Sequence, residues 1–235
     1  MYVINPTTKI TNTVVSSEDT AYPKENLSDD FRTSVWKGSA SVAQTVTLTV
    51  GTGASAIGIA YTNSPTVNVH VNNPSHDTTY TIDSGHPNLF VYYGVASGQH
   101  TVTLTFADPT VAGDIPYCGI IRCSNAYEFN NPGYGLQEGL KDYSVKKRFN
   151  SGALYYHQGE IVRTFSGNID VDRDSEFWVF MHTLAKARGQ APMFWQVTDV
   201  NNEDWAVFAE LNGLPSGSHD YPSDSVIKFN LLEAV

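Results

Sequence analysis

At 235 residues the chain has room for one large domain or two modest ones, each with its own core. Its 14 lysines and arginines stand against 24 aspartates and glutamates, a formal net charge of −10, which excludes nucleic acid as the main partner because phosphate binding needs clustered cations. Two cysteines, Cys118 and Cys123, cannot build the disulfide framework of a small secreted domain, and no run approaches the roughly 18 apolar residues that would insert into a membrane.

The N-terminal stretch MYVINPTTKI lacks the basic start and apolar core of a signal peptide, so the protein is expected to be made in a cytoplasm. Strand patterns then follow almost without a break. QTVTLTV (44–50) alternates strictly, with Val46, Leu48 and Val50 on one face and threonines on the other. HTVTLTF (100–106) repeats the device with Val102, Leu104 and Phe106. Such alternation predicts half-buried strands. SAIGIAY, TVNVHV, TTYTI and NLFVYYGV lie between them, separated by turns rich in Asn, Pro, Ser and Gly, and YCGIIRCS closes the series near Ser124. Seven or eight short strands with no helical period predict an antiparallel β-sandwich or jelly roll over residues 1–125. The odd spacing of Cys118 and Cys123 puts them on opposite faces of one strand, as buried, reduced, structural thiols.

Residues 126–143 are turn-rich, with Pro132, Gly133, Gly135 and Gly139, and read as a connector. Residues 144–235 follow another plan. SVKKRFN, ALYYHQG and EIVRTFSGNIDV read as strands, with Lys146-Lys147-Arg148 a solvated strand edge. A helix is predicted over 174–188, its apolar face made of Phe177, Phe180, Met181, Leu184 and Ala187. Asp172 or Asp174 caps its start, and Gly189 stops it. PMFWQVT and DWAVFAEL, with Trp195 and Trp205, form a hairpin around DVNNE, and SVIKFNLLEAV is the last strand. The fold class is therefore mainly β: an N-terminal sandwich and a C-terminal α+β module with one helix.

Chemical signatures are sparse. There is no G-x-S-x-G elbow, Walker loop, dinucleotide fingerprint or H-E-x-x-H. The acids Asp170, Asp172, Asp174 and Glu176 form the densest carboxylate group, where a helix start attracts acids in any case. The expectation is a protein that is not an enzyme and uses no cofactor. Loops such as TNSPT and VNNPSHDTT offer hydrogen-bonding groups suited to sugars, with Asn72, Asn73, His76 and Asp77 as the candidate carbohydrate-binding residues.

The stretch AYPKENLSDDFRTSVWKGSA resembles the start of discoidin-like, galactose-binding-like jelly rolls, on Asn26, Leu27, Asp29, Thr33 and Trp36. The resemblance implies that Leu27 and Trp36 plug one end of the sandwich, and that a structural calcium is an option at Asp29 and Asp30. RTFSGNIDVDRDSEFWVFMHTLAKARGQAPMFWQVTDV resembles a segment of tailed-bacteriophage tail-tip proteins, the distal tail and hub proteins. In that family the ring module comes first and the appendage second, the reverse of the order here. That likeness implies a virion tail-tip or baseplate component, assembled in the host bacterial cytoplasm. Its C-terminal module would form a ring, hexameric or else trimeric, joining the tail tube to tip proteins. The jelly roll would be a peripheral module contacting other tail proteins or host glycans. The alternative reading is a carbohydrate-binding module or adhesin for host surface glycans.

Overall fold

The computed structural model describes residues 1–31, 33–133, 135–150, 152–186, 189, 191–198, 205–219 and 224–234. In chain order the strands are β1 (Tyr2–Ile4), β2 (Ile10–Val15), β3 (Trp36–Lys37), β4 (Gln44–Val50), β5 (Ala56–Thr62), β6 (Thr66–Asn72), β7 (Ser75–Thr81), β8 (Asn88–Tyr92), β9 (His100–Phe106), β10 (Tyr117–Ser124) and β11 (Ala126–Glu128). There follow β12 (Gln137–Asp142), β13 (Val145–Arg148), β14 (Leu154–His157), β15 (Ile161–Asp172), β16 (Met193–Gln196), β17 (Ala206–Leu211), β18 (Ser216–Ser218) and β19 (Asp224–Glu233). Among the described residues no helix is long and apolar enough to cross a membrane.

The chain forms two compact units whose limits differ from the expected 125 and 144: Met1–Asn131 with Met193–Phe208, and Pro132–Pro192 with Ala209–Val235. The first unit is the sandwich. One sheet has the order β2-β4-β9-β6-β7 and the other β3-β10-β5-β8. The two TVTLT segments are neighbours, Thr45, Thr47 and Thr49 opposite Thr105, Thr103 and Thr101, so their valines and leucines enter one core together. Trp36 is completely buried, its ring 5.7 Å from that of Phe106 and its Nε1–H donating to the Ser17 carbonyl at 3.2 Å. Leu27 is buried in the same cluster.

Met193–Phe208 joins this unit for a definite reason. The outer face of the four-stranded sheet is apolar too, and β16 covers it: Phe194 lies where a side chain on Gly58 would project. Phe194 and Phe208 pack with ring centres 4.8 Å apart, and Val3 of β1 pairs with the buried Trp195. Val197 donates to the Trp205 carbonyl at 3.1 Å, as the expected hairpin requires, although its turn at 199–203 lies outside the described residues. Trp205 itself is half-buried.

In the second unit β15 pairs with β12 on one side and β19 on the other, and β19 also pairs with β18 and with Ala209–Leu211 of β17. The expected connector thus contains two strands, β11 and β12. Both lack alternation because they are short or almost wholly exposed, as the burial of β12 shows. The expected helix begins at Glu176 rather than Asp174, as α1 (Glu176–Trp178), and continues as a π-helical segment, Val179–Ala185. Each π turn takes in one extra residue, with Lys186 N–H bonded to the Met181 carbonyl. The buried face is accordingly Phe180, Leu184 and Ala185, while Phe177 is half-buried over Gly217. Asp172 Oδ1 accepts from the Ser175 hydroxyl and from the N–H groups of Ser175 and Asp174, which holds its carboxyl below the usual carboxylate range. Ala187 and Arg188 lie outside the described residues, and Gly189 takes the expected left-handed turn at φ 58°.

Candidate functional site

The residues expected to bind sugar sit together on the β6–β7 hairpin, but each already has a partner. Asn72 Oδ1 accepts from Thr101 N–H at 2.8 Å, and Asn73 Nδ2 donates to Ser97 Oγ at 3.3 Å. His76 Nε2 is 3.1 Å from the Tyr80 hydroxyl. Asp77 Oδ1 accepts from Asn68 at 2.9 Å, the first cause of its lowered pKa, and its other oxygen is 3.5 Å from His70 Nδ1. His76 and Asp77 are consecutive strand residues and face opposite sides.

Asp77 belongs to a wider surface, the outer face of the five-stranded sheet. One row across it runs Val14, Thr47, Thr103, His70, Asp77, and the next Thr45, Thr105, Asn68, Thr79. Hydroxyl and amide groups dominate, with neither lysine nor glutamate in these rows.

The loop of Asp29 and Asp30, where the resemblance left calcium as an option, is tied down by a cation. Arg122 on β10 donates to the carbonyls of Leu27, Ser28 and Asp29 and to Asp30 Oδ1 at 2.7 Å. Asp29 Oδ1 accepts from Phe31 N–H. Among the described residues no group of three or more His, Cys, Asp or Glu could hold a metal ion.

Beside that loop lies an open cleft of about 340 Å³, within the range of small-ligand sites. Its floor is aliphatic: Ile10, Leu27, Leu48 and Ile121. One wall is β2, where Thr11, Asn12 and Thr13 all line the cleft. β2 is the edge strand of its sheet, so its backbone as well as its side chains can border the cleft, and a bulge lies between Ile10 and Asn12. The opposite lip is the 3₁₀ turn Lys24–Ser28, which places Lys24, Glu25 and Ser28 at the rim.

The buried polar cluster of the first unit is closed rather than reactive. The Tyr93 hydroxyl lies 3.0 Å from His100 Nε2 and 3.1 Å from Cys123 Sγ. Burial pushes the Cys123 thiol up to about 12 and the Cys118 thiol upward as well, so neither is a thiolate at neutral pH. Both thiols are free and both join the one core cluster, whatever their odd spacing suggested.

In the second unit the outstanding feature is the hairpin β13–β14, a two-stranded sheet with every residue exposed. Val145, Phe149, Leu154, Tyr155 and Tyr156 are each about half exposed, between 48% and 57%. Its cross-strand pairs set cations beside aromatics or aliphatics, Lys146 with Tyr156, Lys147 with Tyr155, and Arg148 with Leu154. Residues 145–157 carry three cations and no carboxylate, so the total of −10 leaves −13 on the rest of the chain. This arm escapes sequence reading as a site because it lacks alternation; its four-residue runs of exposed apolar and basic groups are the only signal.

The arm has a hydrogen-bonded base. Ser144 N–H donates to Asp142 Oδ1 at 2.7 Å, Gly159 N–H donates to Ser144 Oγ at 3.0 Å, and Tyr143 N–H donates to the Glu160 carbonyl at 3.0 Å. Hydrogen bonds from Ser144, hydroxyl first and N–H second, hold the Asp142 carboxyl below its ordinary value. A depressed folded pKa stabilises the base fully above the unfolded value near 3.8 and ceases to do so as pH falls through the folded one. The protection of the Ser144 and Gly159 amides, measured against the intrinsic exchange rate at each pH, is therefore expected to fall on acidification below about pH 4, and Asp142→Asn is expected to remove that pH dependence.

No protein-family model matches the chain, and no curated protein does. Among solved structures, it is similar to a family 32 carbohydrate-binding module from C. perfringens NanJ in complex with galactose (TM-score 0.42, 14% identity, 54% of this chain and 100% of that one). It is also similar to chitosan-binding module 1 of the chitosanase/glucanase from Paenibacillus sp. IK-5 (TM-score 0.41, 12% identity, 50% and 96%). A third likeness is to reduced XRCC1 bound to the DNA polymerase β catalytic domain (TM-score 0.41, 17% identity, 51% and 99%).

Proposed function

We propose that this chain is a structural, non-catalytic component of a tailed-phage tail tip or baseplate. Further copies associate through the second unit into a closed ring, a hexamer or a trimer, and the sandwich acts as a peripheral interaction module of the virion. The observation that carries this reading is the β13–β14 arm, a basic and apolar hairpin that pairs with no other strand among the described residues, on an otherwise acidic chain. Exposed apolar area of this kind marks a contact surface, and opposite charge on the remainder of an identical chain favours self-association. A ring needs a heterologous contact whose rotation closes, and an arm reaching from one copy to the next is such a contact. The likeness of residues 163–200 to tail-tip proteins supplies the viral context.

The native mass of the full chain across a wide concentration range tests this. A discrete hexamer or trimer is expected, weakened by salt. Reversing Lys146, Lys147 and Arg148 to glutamate should raise the dissociation constant roughly a hundredfold, about 3 kcal/mol, while the circular-dichroism spectrum of the folded chain is unchanged. A monomer at every concentration overturns the reading.

A second reading, glycan binding by the sandwich, is favoured by the hydroxyl- and amide-rich outer face through Thr47, Thr103, Asn68 and Asp77. It predicts saturable binding on a glycan array that Thr47→Lys with Thr103→Lys abolishes while the fold is kept.

A further inference from the structure

We propose that the cleft between β2 and the Lys24–Ser28 turn is a docking groove for an extended peptide of a partner protein, which adds a strand to the free edge of β2. This goes beyond the assembly role and involves the other unit. β2 ends the order of its sheet and pairs with β4 alone. Ser16 N–H donates to the Thr45 carbonyl at 2.9 Å, which fixes the parity of the ladder. In an antiparallel pair, alternate residues turn their N–H and C=O groups away from the partner. Asn12, Val14 and Ser16 therefore turn theirs toward β4, while Thr13 and Val15 turn theirs outward. Among the described residues, no backbone bond outside the ladders reaches Thr13 or Val15.

An unpaired edge is ordinarily blunted or covered. Here it opens onto a chamber with an apolar floor. A strand laid along β2 would point alternate side chains between the two sheets, onto Ile10, Leu27, Leu48 and Ile121. The chamber volume suits one branched aliphatic anchor together with its neighbouring backbone. The bulge at Thr11 adds a hydroxyl already fixed to the Thr49 carbonyl at 3.1 Å, so that wall is held in shape before anything binds. Lys24 and Glu25 at the lip favour polar, charged residues flanking the anchor. Main-chain pairing then gives affinity and the chamber gives selectivity, the division of labour of strand addition. A sugar ring would use the rim hydroxyls but would leave the edge N–H and C=O groups to water.

The test uses the full chain, isotope-labelled, with a mixture of blocked hexapeptides randomised except for a central valine, isoleucine or leucine. Peptides selected from it should shift the amide resonances of Thr11–Val15 and Lys24–Ser28. N-methylation of alternate peptide amides should weaken binding at least tenfold, as should alanine at the anchor. Thr13→Pro, which removes an outward N–H and is compatible with an edge strand, should abolish binding without altering the native mass. Because the N-methylated peptides probe the unaltered protein, the test survives a Thr13→Pro chain that fails to fold. Equal binding by N-methylated peptides overturns the proposal, as does failure to select any peptide. Galactose shifting the same amides in place of peptide would overturn it in favour of a sugar site. Loss of ring assembly with peptide binding intact would sink the tail-tip reading alone.

Discussion

Replacing Trp36 by alanine is expected to remove about 3–5 kcal/mol from the stability of the sandwich unit, a large share of the 5–15 kcal/mol typical of a whole domain. The side chain is fully buried, touches the ring of Phe106, and satisfies the Ser17 carbonyl through its indole N–H. Its removal leaves a cavity that the short strand β3, paired only at Trp36 and Lys37, cannot collapse to fill. In a unit of this size the loss corresponds to a fall in melting temperature of roughly 10 °C. Trp36→Phe keeps most of the packing and loses the hydrogen bond, so it should cost less than half as much. Thermal and urea unfolding of the three proteins decide the matter. A loss below about 1 kcal/mol for the alanine variant would mean that Trp36 is not the plug of the sandwich.

The second large effect concerns a glycine. Gly58 is paired on both sides, with Arg122 of β10 and Phe90 of β8, and a Cβ there would collide with the ring of Phe194. The ring cannot retreat, because Phe208 packs against it. Gly58→Ala should therefore cost at least the 1–3 kcal/mol usual for overpacking. The decisive experiment is the double-mutant cycle with Phe194→Ala. Phe194→Ala alone leaves a cavity and costs about 3–5 kcal/mol; with the ring gone, the added methyl is harmless or even fills space. The double variant should be more stable than the sum of the single losses predicts, by about 1–3 kcal/mol. Strict additivity would show that β16 does not close over β5.

These two sites also show what the sequence does and does not encode. Trp36 was legible through the resemblance of its Asn-Leu to Val-Trp stretch to discoidin-like jelly rolls, which implies a buried plug. The TVTLT strands were legible because one face of each is core, so burial imprints a period of two. The docking of Met193–Phe208 on Gly58 was not. β16 and β17 are apolar on both faces, and such runs announce that they are covered without saying by what. The helix was visible in outline, but its π register was not, since helical spacing reads almost alike until a turn has to close. β12 was hidden for the opposite reason, since an exposed strand carries no burial pattern; the two strands of the arm were legible as strands, and only their standing as an exposed surface was not. The cleft depends on a bulge and on an edge left unpaired, properties of the ladder rather than of any residue alone.

The split first unit has a consequence for synthesis. Its last piece, Met193–Phe208, is translated only after the whole of the second unit's first segment, Pro132–Pro192. At about 5–20 residues per second, the sandwich waits roughly 4–15 s from the appearance of Asn131 until Phe208 is made. Through that interval the outer face of the four-stranded sheet, with Gly58 at its middle, has no lid. The nascent chain is then sticky, and a chaperone or a neighbouring nascent copy can occupy the seat of Phe194. A fragment ending at residue 131 is frozen in that state, and one beginning at residue 140 carries the lid with nothing to close on.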